Sequence, residues 1–354
     1  MTVLGRVKVG AERGTVRYVG QVQGAQGTWY GIEWDDPSRG KHDGSHKGVK
    51  YFACSHATGG SFVKEKKVNR GVSFLQALET RYGEEEAASH VEVNVRQRIE
   101  VELVGEDRVR SRIQRHDELR EAQLRDMDIN DTVEDTLAER CPNVNILDLS
   151  FNLICKWSTV VAICKQLPRL TSLNISGNRL DFDTIDEETA AFHDVTCLYL
   201  SHIPGLQWDQ VVQICRHMPN LTELHACENG MEHINMDAET VRVFGRLHTL
   251  NMYGNALHAW SKVLALGELP ALSDLKLNAN QLGDCTDFTP LSSLASLSIA
   301  SNEISSWETV KALGKLTGLT SVRMRHNPVG SGVTEAVYRK LCIHHLPRVR
   351  CDIA

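Results

Sequence analysis

Leu147-Asp148-Leu149-Ser150-Phe151-Asn152 is a phrase that the chain repeats. It returns as Leu173-Asn174-Ile175-Ser176-Gly177-Asn178, Leu250-Asn251-Met252-Tyr253-Gly254-Asn255 and Leu275-Lys276-Leu277-Asn278-Ala279-Asn280. Two more copies are Leu297-Ser298-Ile299-Ala300-Ser301-Asn302 and Val322-Arg323-Met324-Arg325-His326-Asn327, and weaker ones begin at Ala122, Leu198 and Leu224. Successive anchors lie 22 to 26 residues apart. A period of this size predicts a solenoid, in which each repeat adds one short strand to a parallel sheet and a return segment on the convex side. The apolar anchors point inward. The corner Asn is expected to bond backbone groups that the turn would otherwise leave unpaired. The copy at Leu198 carries Ile203 in place of that Asn, so its corner is expected to differ locally.

This pattern resembles the leucine-rich repeat and covers residues 116–354. Trp157–Leu167 and Trp208–Met218 are near copies with apolar residues at helical spacing, and Trp260–Leu266 is similar. Pro168, Pro219 and Pro270 close these segments, and their Trp residues are expected in the core. Residues 338–351 are expected to form a helix and a last strand capping the array. The residues between anchors should face the concave sheet: Gln123, Arg125, Asp148, Ser150, Asn174, Ser176, Tyr199, His225, Asn251, Tyr253, Lys276, Asn278, Arg323 and Arg325. Such an extended polar surface suits a large protein partner better than a small molecule.

Upstream the pattern changes. Residues 1–70 carry 12 Lys/Arg against 6 Asp/Glu in a chain of net charge −6, so a basic module precedes an acidic body. Gly5–Val9, Gly14–Val19 and Gly27–Trp34 read as short strands, with a turn cluster at residues 35–40. Gly40-Lys41-His42-Asp43-Gly44-Ser45-His46-Lys47-Gly48-Val49-Lys50-Tyr51-Phe52 follows, a glycine-spaced loop carrying cations and ending in two aromatics that begin a further strand. Its glycines permit positive φ and close backbone approach. His46 and His56 have no ligand spacing and read as surface residues.

Gly27-x-Trp29-x-Gly31-Ile32-Glu33-Trp34, Gly40-Lys41-His42-Asp43-Gly44-Ser45, Gly48-x-x-Tyr51-Phe52-x-Cys54 and Gly60-Ser61-Phe62-Val63 together resemble a CAP-Gly domain. The resemblance implies a small all-β barrel whose ligands are acidic C-terminal tails ending in an aromatic residue, as on α-tubulin. Trp29, Phe52 and Phe62 would form the slot for the terminal ring. Lys41 and Lys50 would hold the tail's carboxylates. The loop around His42, Asp43, Gly44 and Ser45 would offer backbone amides to the terminal carboxylate. His42 replaces the motif's usual Asn. It can donate and accept when neutral, and is expected to gain charge below about pH 6.5.

Residues 73–115 read as a connector. It comprises a short amphipathic helix with Phe74, Leu75, Leu78 and Tyr82 on one side, a stop at Gly83, the acidic triplet Glu84-Glu85-Glu86 and strand-like alternation at Val91–Val95 and Ile99–Leu103. The ten cysteines form no Cys-x-x-Cys, so buried reduced thiols are expected, with no metal and no cofactor. No apolar run is long enough for a membrane span, the N-terminus lacks a signal-peptide core, and the acidic array disfavours nucleic acid. No P-loop, nucleophile elbow or metal spacing points to an enzyme.

A CAP-Gly module at 1–72 ahead of an α/β leucine-rich-repeat solenoid resembles the tubulin-folding cofactor E family. That family's loop also carries the histidines found here at His42 and His46. The resemblance implies a cytoplasmic, cytoskeleton-associated chaperone. It would bind α-tubulin and act with tubulin cofactors C and D, and with cofactor B, in assembling and dissociating the α/β heterodimer. The family usually carries a ubiquitin-like domain after the repeats, and functions tied to that domain are not carried over to a chain ending at the apparent cap. The alternative is a microtubule-associated adaptor that docks through CAP-Gly and recruits another protein through the repeats.

Overall fold

The structure is a computed structural model and describes residues 5–83, 118–182, 185 and 192–351. The acidic triplet at 84–86 and the alternation at 91–103 lie outside the described residues. The chain divides into two compact units, Met1–Arg169 with Asn178–Thr184, and Leu170–Gly177 with Ile185–Ala354.

In the first unit, β1 (Arg6–Val9), β2 (Glu12–Gly20), β3 (Trp29–Trp34) and β6 (Gly60–Lys64) form an antiparallel sheet in the order β1-β2-β3-β6. A hairpin of β4 (Ser45–His46) and β5 (Val49–Lys50) stands apart from it. Val7, Val16, Tyr30, Ile32 and Trp34 fill the core of this sheet. The pairing of β2 with β3 shifts between Val16 and Tyr18. Val16 and Tyr18 would share a face in a regular strand. The bulge sends Val16 into the core while Tyr18 lies opposite Gly31, where a Cβ on that glycine would meet the Tyr18 Cβ at 2.9 Å. The expected strand at Tyr51-Phe52 does not form; the Tyr51 amide bonds to the Gly44 carbonyl at 3.0 Å instead.

Helix α1 (Phe74–Tyr82) starts in a capping box. The Gln76 amide donates to Ser73 Oγ at 3.3 Å, and the Ser73 amide donates to Gln76 Oε1 at 3.0 Å. It buries Phe74, Ala77 and Leu78 completely, and the Gln123 amide donates to Tyr82 Oη at 2.8 Å, so the helix covers the start of the repeats. The β module is fastened to the first repeats of the same unit. Val72 bridges Ile129, Lys8 Nζ lies 3.0 Å from Asp128 Oδ1, Arg13 pairs with Asp126, and Arg179 Nε lies 3.2 Å from Asp35 Oδ1.

The repeats follow one rule. In the first unit β7 (Glu121–Gln123) pairs in parallel with β8 (Ile146–Asp148). In the second unit β9 (Ser172–Asn174), β10 (Cys197–Tyr199), β11 (Glu223–His225), β12 (Thr249–Asn251), β13 (Asp274–Lys276), β14 (Ser296–Ser298), β15 (Ser321–Arg323) and β16 (Arg350–Cys351) form successive parallel pairs. Every anchor read from the sequence is the buried middle residue of its strand, the weak copies at Ala122, Leu198 and Leu224 included. The fold is thus a CAP-Gly module followed by a leucine-rich-repeat solenoid.

Each corner is also alike. The residue four after the anchor has φ near 55–69° in every repeat, from Asp126 and Phe151 to Ser301 and His326. The next position is the corner Asn in all but two copies, which have Met127 and Ile203. Asn152 Nδ2 donates to the Leu124 and Leu149 carbonyls at 2.8 and 2.9 Å, while its Oδ1 accepts from the Met127 and Ile129 amides at 3.0 Å. Ile203 changes the side chain at its corner but not the backbone, since His202 before it keeps φ 55°. It is buried as an apolar side chain, and its amide is taken by Asn229 Oδ1 at 2.8 Å.

The return segments are helical at Trp157–Lys165, Trp208–Cys215 and Trp260–Leu264, and all three Trp residues are buried. Trp208 and Trp260 donate Nε1–H to the Asn235 and Gly283 carbonyls at 2.8 and 2.7 Å. The closing helix starts earlier than the sequence indicated, at Glu335, and runs to His345 ahead of β16. Among the described residues no disulfide forms, and no helix is long and apolar enough to cross a membrane.

Candidate functional site

The loop from Gly40 to Phe52 is shaped by contacts only glycine permits. A Cβ at Gly40 would stand 1.8 Å from the Thr58 carbonyl oxygen. Gly44 has φ +98°, and its Cβ would stand 2.1 Å from the Phe52 carbonyl oxygen. Lys47 and Gly48, at φ 48° and 78°, link β4 to β5 with two positive-φ residues, the geometry of a tight hairpin turn. The loop base is tied to β6, because the Gly60 amide donates to the His42 carbonyl at 2.7 Å and the Lys41 amide donates to the Gly60 carbonyl at 2.7 Å.

This frame gathers rings around Phe62. Its centroid lies 5.0 Å from His42, 5.3 Å from Tyr51, 5.4 Å from Phe52 and 6.3 Å from Tyr18. Phe52 is buried against Gly31, whereas Phe62, Tyr18 and Tyr51 are half-buried. Trp29 does not join these ring contacts among the described residues. It shares the Gly31 face of β3, carries Lys64 Nζ 5.4 Å above its ring, and donates Nε1–H to the Gln26 carbonyl at 3.2 Å. The slot expected from Trp29, Phe52 and Phe62 therefore has Phe52 and Phe62 together and Trp29 at one side. Tyr18 and Tyr51 were missed in the sequence reading. The bulge that re-aims Tyr18 leaves no mark in an alternating strand, and Tyr51 is an ordinary motif position. His46 also departs from the surface reading: it is half-buried, 6.3 Å from Phe62.

The charges around the rings are unequal. Lys41 and Lys47 are exposed at the loop. Lys50 is exposed but engaged, with Nζ 2.6 Å from Asp43 Oδ2. That bond, together with the bond from Ser45 to Asp43 Oδ1, holds the Asp43 carboxyl down to about 2. His42 Nδ1 accepts the Gly44 amide at 3.0 Å, which places the ring proton on Nε2. Burial pushes the His42 imidazole below its usual range, against the opposing pull of Asp43. The charge expected on His42 below pH 6.5 thus appears only further into acid. Beneath the loop, burial raises the Glu33 carboxyl, but bonds from the Ser55 amide and Arg17 outweigh it and leave the group below the ordinary range. Burial, with the Glu33 charge second, pushes the Cys54 thiol up to about 11.

The residues assigned to the concave sheet occupy the third strand position or the corner after it. Asp148 Oδ1 in the first unit accepts the Ser150 amide at 2.8 Å. In the second unit, Asn174 and Asn251 do the same for Ser176 and Tyr253 at 3.0 and 3.1 Å. These polar side chains shape their own turns as well as facing outward. Lys276 pairs with Asp274 at 3.1 Å and Arg325 with Glu335 at 2.9 Å. Tyr253 and Arg323 are exposed, and Tyr199 stacks on His225 with centroids 4.3 Å apart.

The CAP-Gly domain profile matches residues 3–68. Tubulin-folding cofactor E of Arabidopsis thaliana is 37% identical over 276 residues, 76% of this chain and 51% of the relative. The chain is a relative of tubulin-folding cofactor E. Tubulin-specific chaperone E of Homo sapiens is 36% identical over 278 residues, 77% of this chain and 52% of its own length. The chain therefore spans about half the length of these relatives. Among solved structures, a leucine-rich-repeat protein of Leptospira interrogans aligns at 18% identity and TM-score 0.46, over 68% of this chain and 61% of its own.

Proposed function

We propose that this chain is a non-enzymatic tubulin-folding chaperone that grips α-tubulin at two places. The CAP-Gly module takes the acidic, aromatic-ended C-terminal tail, and the repeats take the body. The observation that carries the reading is the ring cluster around Phe62, which is half-open to solvent and continuous with a loop that exposes Lys41 and Lys47. A terminal aromatic would pack on Phe62 while the acidic residues before it meet the lysines. One buried ring contributes roughly 1.5–3 kcal/mol, and each charge-assisted bond about 1.5–3 kcal/mol. Ordering the tail offsets much of this, so the repeats add the grip that makes capture stable. The division of labour follows residues 1–72, a connector at 73–115 and repeats at 116–354. The names of relatives support partnership with tubulin; the proposal extends it to the tubulin cofactors C, D and B, in the cytoplasm beside the cytoskeleton.

The test is size-exclusion chromatography of the chain with purified tubulin, intact or with the α-tubulin tail removed. A soluble complex with α-tubulin is expected, weakened but not abolished by tail removal. Unchanged affinity would refute the tail grip, and loss of all binding would refute the second grip. Co-sedimentation with microtubules in place of a soluble complex would favour the adaptor.

A further inference from the structure

Two pairs of side chains meet on adjacent strands of the second unit. The register sets Cys197 beside Glu223 and Tyr199 beside His225. Alternate residues of a strand share a face, so all four stand on the same side of the sheet, and all are half-buried. One donor atom each from Cys197, Glu223 and His225 lies within 4.8 Å of the other two. His225 Nε2 is 2.9 Å from Glu223 Oε1. The ring is fixed from two further directions. Tyr199 stacks on it with 9° between the planes, and Asn251 Nδ2 is 3.2 Å from Nδ1.

We propose that Cys197, Glu223 and His225 form a binding site for one zinc-class divalent cation, with its fourth position open to the concave face. A sulfur, a nitrogen and an oxygen suit zinc or cobalt and not magnesium or calcium, which take oxygen ligands. Three protein ligands with one open position is a known zinc arrangement. Bonds of about 2.0–2.3 Å place tetrahedral ligands roughly 3.3–3.6 Å apart. The present donors, all within 4.8 Å of one another, stand close to that spacing. On binding, the Cys197 thiol releases its proton to solvent and the sulfur lone pair bonds the ion. The His225 ring proton moves from Nε2 to Nδ1, where the Asn251 amide, turned over, accepts it through oxygen. That turn exchanges the present bond from the Tyr253 amide to Asn251 Oδ1, 3.1 Å, for the outer bond that orients a metal-bound imidazole. The site escapes spacing rules because its ligands come from two successive repeats.

Titration of the chelator-stripped full chain with cobalt(II) tests this, read by cobalt–thiolate charge-transfer absorption. One equivalent should saturate the band, and zinc should bleach it. Cys197→Ser should abolish it, while Cys227→Ser, at a neighbouring thiol outside the cluster, should keep it. Glu223→Gln should weaken cobalt binding, and Asn251→Ala should weaken it by about 10–100-fold. Absence of the band in the unmodified chain would overturn the proposal, as would a band that survives Cys197→Ser or an affinity unmoved by Glu223→Gln.

Discussion

Lys50 Nζ stands 2.6 Å from Asp43 Oδ2 and 2.9 Å from the Asp43 carbonyl oxygen. The lysine is anchored to the loop it extends from before any ligand arrives. Both side chains are about half exposed, so the pair adds little to global stability; its effect is to fix the turn. The folded Asp43 carboxyl titrates at about 2, below an unfolded value of about 3.9. The contribution of the pair is therefore complete above about pH 4 and lost as pH falls toward 2. A carboxyl-carbon NMR titration should give a midpoint near 2, and a midpoint near 3.9 would mean that the pair does not form in solution.

His42 shows how a histidine serves where the motif usually has Asn. Its Nδ1 accepts the amide two residues on, at Gly44, 3.0 Å away. An Asn side-chain oxygen makes the same two-residue turn. His42→Asn should therefore leave stability within about 0.5 kcal/mol, whereas His42→Ala should cost about 0.5–1.5 kcal/mol by losing the bond. Because burial lowers the imidazole pKa, the stability from neutral His42 is present above about pH 6.5 and lost as pH falls through the folded value. Denaturant melts of the three proteins at pH 7 and pH 5 check both statements.

Gly44→Ala should damage the loop in two ways at once. The alanine would have to hold φ near +98° with its methyl 2.1 Å from the Phe52 carbonyl oxygen. Strain of this kind costs about 1–3 kcal/mol, and relief requires Phe52 to move away from Phe62. Loss of the Phe52–Phe62 nuclear Overhauser contacts alongside the lowered melt would confirm the mechanism. A lowered melt with those contacts intact would contradict it.

The repeats were legible because each anchor has one job. Leu147, Leu250 and Leu297 fill the same position, fully buried, each in its own repeat, so the sequence must repeat whenever the geometry does. The positive φ before each corner Asn was less legible. Gly177 and Gly254 advertise it, but Phe151, Glu228 and His326 adopt it without any sign in their residue type. The CAP-Gly loop was legible where glycine is irreplaceable, at Gly40 and Gly44. Tyr18 was not, because its direction depends on a bulge that arises from pairing with β3. Cys197 is a whole repeat away from Glu223 and His225, and only the strand register brings them together.

Phe62→Ala removes the ring that contacts His42, Tyr51, Phe52 and Tyr18. Phe62 is half-buried and lies outside the Val7–Trp34 core cluster, so the module should still fold. An acidic peptide ending in tyrosine should bind at least about tenfold more weakly, the equivalent of losing one aromatic contact of about 1.5 kcal/mol. Lys41→Ala should weaken the same peptide less, and the difference should shrink at high salt. Calorimetry at two ionic strengths separates the two contributions. Equal losses for both variants, or no salt dependence for Lys41, would refute this partition.

Asn255 carries more of the array's stability than its size suggests. Its Nδ2 donates to the Ala226 and Met252 carbonyls at 2.8 and 3.0 Å, and its Oδ1 accepts from the Asn229 and Met231 amides at 3.2 and 3.1 Å. The residue is buried, so Asn255→Ala leaves the Ala226 carbonyl and the Asn229 and Met231 amides without its bonds, while the Met252 carbonyl keeps Asn280 Nδ2 at 3.0 Å. At about 1–3 kcal/mol for each unsatisfied group, with some relief from entering water, the cost should be about 3–5 kcal/mol. Asn174→Ala is the control. Its side chain is half-buried and serves one amide, that of Ser176, at 3.0 Å, so it should cost about 1 kcal/mol. Repeats contact only their neighbours, so hydrogen exchange in the Asn255 variant should accelerate first around residues 226–257 and spread outward from there. Uniform acceleration across the array, or equal costs for the two variants, would mean that the corner amides do not set the stability of individual repeats.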